Sequence, residues 1–320
     1  MQYYIMRRFA AMVPTLLGAT LLVFLVMRVV PGDIIFALLT DEEGGAAQIS
    51  EESLNKLRAQ LGIDKPLYVQ YLTWIAGIPR GDLGDSMWNN LPVAEEITGR
   101  FPISAQLGIM GGILGFLFGL PLGIISALKR GSIVDAIARF TSIFLLAFPS
   151  FWLGLMIIMF TTRQFMWMPP LGYNLLWVNP SDNLQQLIFP ALVIASHLMA
   201  IVARMTRSTM LEVLREDYIR TARAKGLAES TVIVRHALRN SLIPVITIVS
   251  LSVGSLLAGT VVMERVFTIP GLGLFLLESI MVRDYTAVQA MIFIFAVIFV
   301  IINLIVDIMY GYLDPRISYS

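Results

Sequence analysis

The chain has 320 residues, of which 57% are apolar and only 14% charged, and it contains no Cys. Charged residues normally make up about a quarter of a globular chain, so an ordinary soluble surface is excluded, as are disulfide scaffolds, thiol nucleophiles and Cys-ligated metals. A net charge of +1 conceals an uneven distribution between loops, and that distribution orients the chain across a membrane.

Arg7 and Arg8 precede an apolar run over 9–30 that is interrupted only by Pro14 and Arg28, and about 20 such residues span a bilayer. The run is too long for a cleaved signal and no small-residue cleavage site follows, so residues 1–30 are expected to be a retained first helix with its N-terminus inside. Residues 31–100 are the one sizeable polar region and, by alternation, an external insert. Ser50 can cap a helix over 51–61 in which Leu54, Leu57 and Leu61 share a face and Gly62 closes it. Asp64 and Pro66 start another short helix through Tyr68, Tyr71, Leu72 and Trp74. Small amphipathic helices of this kind cap a transmembrane bundle or lie at its interface.

Five further spans are expected over 101–128, 137–161, 186–203, 242–262 and 285–310. The chain therefore reads as an all-α membrane protein with six transmembrane helices, a core over 101–310, a cytoplasmic tail over 311–320 and both termini inside. The second span carries Gly111, Gly115, Gly119 and Gly123 at spacing four, a small-residue stripe that lets another helix approach closely. Pro121, Pro149 and Pro190 lie within or beside spans and are expected to bend them. Lys129, Arg130 and most other cations fall inside, while Asp41, Glu42, Glu43, Glu51, Glu52, Asp64, Asp82, Asp85, Glu95 and Glu96 fall outside, as positive-inside orientation requires.

The longest cytoplasmic loop, 204–241, carries Arg204, Arg207, Arg215, Arg220, Arg223, Lys225, Arg235 and Arg239. Leu211, Leu214, Tyr218, Ala222 and Leu227 recur at helical spacing, and Gly226 stands where a helix ends on a left-handed residue. A second helix follows, with Val232, Val234, Ala237 and Leu238 as apolar positions, and leads to Pro244 at the next span. A helix-turn-helix in a cytoplasmic loop is built for a partner to hold. Ala222, one turn before Gly226, is expected on the face offered to it. Across the membrane, Glu264, Phe267, Pro270, Gly271 and Gly273 are expected to form a tight, non-helical turn re-entering toward the bundle.

Several chemistries are missing. No G-x-x-x-x-G-K-S/T phrase cradles nucleotide phosphates and no H-E-x-x-H pair holds a metal, so no enzymatic activity, metal site or nucleic-acid binding is expected. His197, the one histidine deep in a span, reads as hydrogen-bonded to a neighbouring helix. A self-powered secondary transporter would place acids near the bilayer midplane and show inverted repeats. Here the acids cluster in loops, and no repeat at a fixed offset is seen.

Tyr218 and the phrase Arg220, Thr221, Ala222, Arg223, Ala224, Lys225, Gly226 and Leu227 resemble the EAA loop of binding-protein-dependent ABC importers, in its peptide-transporter form. The likeness extends from YIMRRF through Pro31, Gly32 and Asp33, LGIDKPLYVQYL, GDLGDS and MERVFTIPGLG to Asp314, Pro315 and Arg316. Arg220 stands where the broad consensus has Glu, so a salt bridge from that position is not carried over. The resemblance implies a type I ABC importer permease core in the cytoplasmic membrane of a prokaryote, similar to the B-type permease subunit of dipeptide, oligopeptide or nickel importers. It further implies a C-type permease partner, two ABC ATPases that hold ATP and Mg while this chain binds no cofactor, and an external solute-binding protein. Transport would proceed by alternating access, with the loop as coupling helix and the Glu264–Gly273 phrase near the outer mouth of the path. Relatives of this kind carry peptides, oligosaccharides, glutathione or nickel.

Overall fold

The computed structural model describes residues 2–29, 64–170 and 172–313. The helix expected over 51–61, the acid Glu42 expected to be external, the Pro31–Gly32–Asp33 phrase and the closing Asp314–Pro315–Arg316 phrase lie outside the described residues. The elements are α1 (Gln2–Val29), α2 (Leu67–Gly77), α3 (Val93–Leu128), α4 (Ile133–Ala147), α5 (Ser150–Phe165) and α6 (Pro180–Val213). They continue as α7 (Asp217–Ala224), α8 (Glu229–Leu251), α9 (Val253–Phe267), α10 (Leu272–Met281) and α11 (Tyr285–Leu313). No strand occurs among the described residues. Two compact units divide the chain, residues 1–102 with 272–304 and residues 103–271 with 305–318.

In the first unit, Leu83, Val93, Ile97, Leu272, Phe275, Ala287, Ala290 and Met291 form the buried core. Asp284, itself buried, caps α11 by accepting from the Ala287 amide at 3.0 Å and also accepts from the Ser86 hydroxyl. Tyr71 of α2 meets Phe24 of α1 edge to face with ring centroids 5.3 Å apart, and its hydroxyl lies 3.1 Å from Thr20 Oγ1. The other side of α1 leaves Leu17, Leu21, Leu22, Leu25 and Val26 exposed, which suits a helix solvated by lipid or by another chain.

The second unit is arranged around α6, where 61% of the most apolar window is buried against 17–22% in the other long helices. Asn179 caps it by accepting from the Asp182 amide at 3.3 Å, and Pro180 occupies its first turn, where a missing N–H costs nothing. The glycine stripe of α3 faces α6. A Cβ built at Gly111, Gly115, Gly119 or Gly123 would come within 2.6–2.8 Å of Ile194, Leu198, Met199 or Ala203 respectively. No real side chain occupies such a position, so the two backbones meet there because glycine leaves the space.

The bend expected beside Pro149 is present. Residues 137–161 do not form one straight span: α4 and α5 meet at 100°. Phe148, next to Pro149, is extended at ψ 137° and ends the helix, because proline disfavours helical geometry in the residue before it. Helices α3 and α6 instead run on through Pro121 and Pro190. The span expected over 242–262 is also displaced. Helix α8 starts at Glu229, runs through Pro244 and ends at Leu251, so the second helix of the 204–241 loop is continuous with the following apolar segment. Five described helices are each long and apolar enough to cross a bilayer, and bent pairs such as α4 with α5 raise the number to as many as seven. His197 is exposed, with no hydrogen-bond partner among the described residues, and not bonded to a neighbouring helix as expected.

Overpacking a filled contact costs typically about 1–3 kcal/mol, whereas a residue with open space around it tolerates change within about 0.5 kcal/mol. Gly119→Leu is expected to lower the thermal unfolding temperature in detergent. Gly112→Leu, where nothing lies within 4 Å of a built Cβ, is expected to leave it unchanged. Equal melting of both variants would show that the stripe does not set the α3–α6 contact.

Candidate functional site

Helix α6 ends at Val213, and the chain turns through Leu214, Arg215 and Glu216, whose amides bond to Met210 O at 2.9 Å, Glu212 O at 3.1 Å and Val213 O at 3.1 Å. Glu216 is extended at ψ 148° and α7 begins at Asp217. The stripe Leu211, Leu214, Tyr218, Ala222 and Leu227 therefore does not lie on one helix. The break lets Ile219 and Ala222 turn back onto a buried cluster with Ala127, Met210, Val232 and Ala237. Those four residues belong to the ends of α3, α6 and α8, so α7 is mounted on three helices at once.

This packing corrects the expected role of Ala222. Only 7% of it is exposed, and it faces the chain's own core. The outward face consists of Asp217, Arg220, Thr221 and Ala224, followed by Lys225, Gly226 and Leu227. Tyr218 is half-exposed but tethered: its hydroxyl accepts from Asn240 Nδ2 at 2.7 Å. Arg223 is bound in a similar way. Its Nε and Nη2 donate to Glu229 at 3.1 and 2.7 Å, a fork matched to a carboxylate, and this bond raises the pKa of the guanidinium above its usual value.

The end of α7 is fixed by backbone geometry. Gly226 has φ +78°, the left-handed region open to glycine. Its amide bonds to Arg223 O at 2.9 Å, and the Leu227 amide reaches Ala222 O at 3.4 Å. This pair of bonds is a Schellman motif, with Gly226 at the position that motif needs. Beyond it, α8 is π-helical over Val232–Leu238. The wide turn carries both Val232 and Ala237, five residues apart, into the buried cluster.

A polar lock that the sequence did not disclose sits at the same end of the unit. Asp135 on α4 is 1% exposed and accepts from Arg207 Nε at 2.8 Å, Arg207 Nη2 at 2.9 Å, Ser126 Oγ at 2.6 Å and the Gly131 amide at 3.0 Å. It joins α3, α4 and α6. The only local sign was Ser132 three residues earlier, whose hydroxyl caps α4 by accepting from the Asp135 amide at 3.3 Å. A second unforeseen network joins Gln106, Tyr173 and Asn183, with Tyr173 donating to Gln106 Oε1 at 2.7 Å.

The expected outer turn is shorter than its motif. Glu264 and Phe267 belong to α9, Gly273 belongs to α10, and only 268–271 is non-helical. Thr268 turns left-handed at φ +52°, the Ile269 amide returns to Glu264 O at 2.8 Å, and Pro270 follows. Glu264 is fully buried and accepts from Ser104 Oγ at 2.6 Å. A Cβ at Gly271 would fall on the Glu264 carboxylate, so glycine is required there for close approach.

Two family descriptions cover nearly the whole chain: the binding-protein-dependent transport system inner membrane component matches residues 119–319, and its N-terminal part matches residues 1–108. The chain belongs to this family. It is 39% identical over 343 residues to the dipeptide transport system permease protein DppB of Escherichia coli (strain K12), with 100% of each chain covered. It is 42% identical over 322 residues, again with 100% of each covered, to the oligopeptide transport system permease protein AppB of Bacillus subtilis (strain 168). A solved structure of the MetNI methionine ABC transporter in an inward-facing conformation matches with a TM-score of 0.52 at 17% identity, over 68% of this chain and 96% of that one. The permease is thus a multi-pass membrane protein with the helical type I importer fold.

Breaking a buried ion pair by removing one partner costs about 3–5 kcal/mol, whereas removing both costs less. Asp135→Asn in the permease is expected to lower the unfolding temperature markedly. Asp135→Asn with Arg207→Gln is expected to recover part of the loss. A double variant no better than the single would show that the charge pairing is not what Asp135 contributes.

Proposed function

We propose that this permease is the B-type membrane subunit of an ATP-driven peptide importer and forms half of the translocation path with a C-type permease. Two separate ATPase subunits hold ATP and Mg, and an external solute-binding protein delivers the cargo. The peptide substrate is inferred from the dipeptide and oligopeptide functions named for the relatives. In this arrangement both termini and the loop 204–241 are cytoplasmic, the insert 31–100 is external, and the core 101–310 crosses the inner membrane of a prokaryote. Helix α7 is the coupling helix, held by an ATPase groove through its outward face.

One observation carries the coupling assignment: α7 exposes one face to the surroundings while its other face is locked into the ends of α3, α6 and α8. A freely moving loop would absorb a push. A helix with two buried anchors transmits it. The outer turn at 268–271, pinned through Glu264, is well placed in sequence and rigidity to act at the outer mouth.

Two experiments test this reading. Because the chain has no Cys, Lys225→Cys and Asp82→Cys each carry a single thiol, and an impermeant reagent applied to intact cells is expected to label only the second. Labelling at Lys225 alone would reverse the topology. In proteoliposomes, Ala224→Asp and Leu227→Asp are expected to leave the assembled complex intact and to abolish the ATPase stimulation and dipeptide uptake caused by loaded binding protein. Ala222→Asp, which buries a carboxylate, is expected to lose the assembled protein itself. Normal coupling in the two outward variants would remove α7 from the coupling path.

A further inference from the structure

Among the described residues, three buried side-chain nitrogen or oxygen atoms have no hydrogen-bond partner: Arg28 Nη1, Trp74 Nε1 and Thr206 Oγ1. The first two line one cavity of about 370 Å³ in the first unit, formed by the end of α1, α2, the 82–90 segment and the start of α11. Its volume lies within the range of about 300–1,000 Å³ typical of small-molecule sites. Arg28 is held in place there. Its Nη2 donates to Gln70 Oε1 at 2.8 Å and its guanidinium stacks 3.8 Å from the centre of the Phe24 ring, while Nη1 is buried without an acceptor. Buried donors in this condition are rare, and both of these side chains border the same space.

The charges around the cavity define the chemistry of a ligand there. Lys65 is a second cation, and Asp82 and Asp85 are two carboxylates in the same lining. No ion pair within 4 Å joins either cation to either carboxylate among the described residues. A lone anion would be attracted by one pair and repelled by the other. A ligand with both signs satisfies all four. Large apolar side chains in the lining are limited to Trp74 and Met87, which leaves no wall for acyl chains.

We infer that this cavity binds a small soluble zwitterion, with a carboxylate beside Arg28 and Lys65 and an ammonium beside Asp82 and Asp85, as the free ends of a short peptide provide. The inference rests on the proposed peptide reading for its choice of probe. It adds a holding site on the permease itself, on the side that the topology makes external.

The test is calorimetric titration of alanyl-alanine into the purified, assembled importer without its binding protein. Each end is then removed chemically, with alanyl-alanine amide and N-acetyl-alanyl-alanine as probes. Charge-assisted hydrogen bonds predict that each modification weakens binding about tenfold or more. Arg28→Met is expected to bind acid and amide equally while still preferring the free amine. Asp82→Asn with Asp85→Asn is expected to show the opposite pattern, and Arg28→Lys to regain part of the preference for the acid. These exchanged preferences are a readout that partial unfolding does not produce. Absence of alanyl-alanine binding, or preferences unchanged by the variants, overturns the inference, as does binding of short-chain phosphatidylethanolamine in place of the dipeptide. Peptide uptake measured on the same preparation with binding protein separates the two readings, because transport without this site would sink only the site.

Discussion

Four absent side chains bring α3 and α6 together. In a bilayer, apolar surface gains nothing by leaving lipid for protein, so helix association depends on close van der Waals contact and on polar bonds. Gly111, Gly115, Gly119 and Gly123 supply the contact, since a methyl group at any of them would intrude on α6. At the end of the same helix pair, Asp135 supplies the polar bond by holding Arg207 with two hydrogen bonds. The one constraint sets how near the helices come, and the other sets their register and adds α4.

The cluster beneath α7 depends on this pair. Ala127 and Met210 come from the ends of α3 and α6, and Val232 and Ala237 come from α8. If α3 and α6 stood apart by the width of a side chain, Ile219 and Ala222 would have no common floor. With the floor in place, α7 has a fixed inner face, and the Schellman closure at Gly226 turns the chain directly into α8. Packed interiors respond to load by switching between discrete arrangements, not by deforming continuously. A push on the outer face of α7 therefore reaches three helices together, which is the mechanical content of the proposed coupling.

Local backbone chemistry was legible in the sequence, and pairing across distance was not. Gly226 could be read as a helix stop because the left-handed requirement is a property of one residue. The glycine stripe could be read because its spacing matches the helix, although the sequence did not say that α6 was the helix it met. Ala222 was placed on the wrong face because periodicity reveals a stripe without revealing which side of it is buried, and because the corner at 214–216 contains neither Gly nor Pro to announce it. Nothing local marks Asp135 as a lock, because its partner Arg207 lies 72 positions away. Pro149 stands at a break between helices, whereas Pro121 and Pro190 lie inside continuous ones. What distinguishes them is the neighbour that stops being helical, and tertiary packing decides that.

The basic residues of the loop divide in a way that counting charges hides. Arg207 is committed to Asp135 and Arg223 to Glu229, both through two-pronged bonds. Among the described residues Arg220 pairs with Asp217 alone, at 3.2 Å with both side chains well exposed, and an exposed pair of this kind contributes little. Lys225 also points outward. The cations of the loop thus include two that build the mount and two that decorate its outer face. Replacing Arg223 by Lys would keep the topological signal and lose the fork. The proposed orientation and the rigidity are therefore separable properties of this loop, the first resting on its count of Lys and Arg and the second on the geometry of two guanidinium groups.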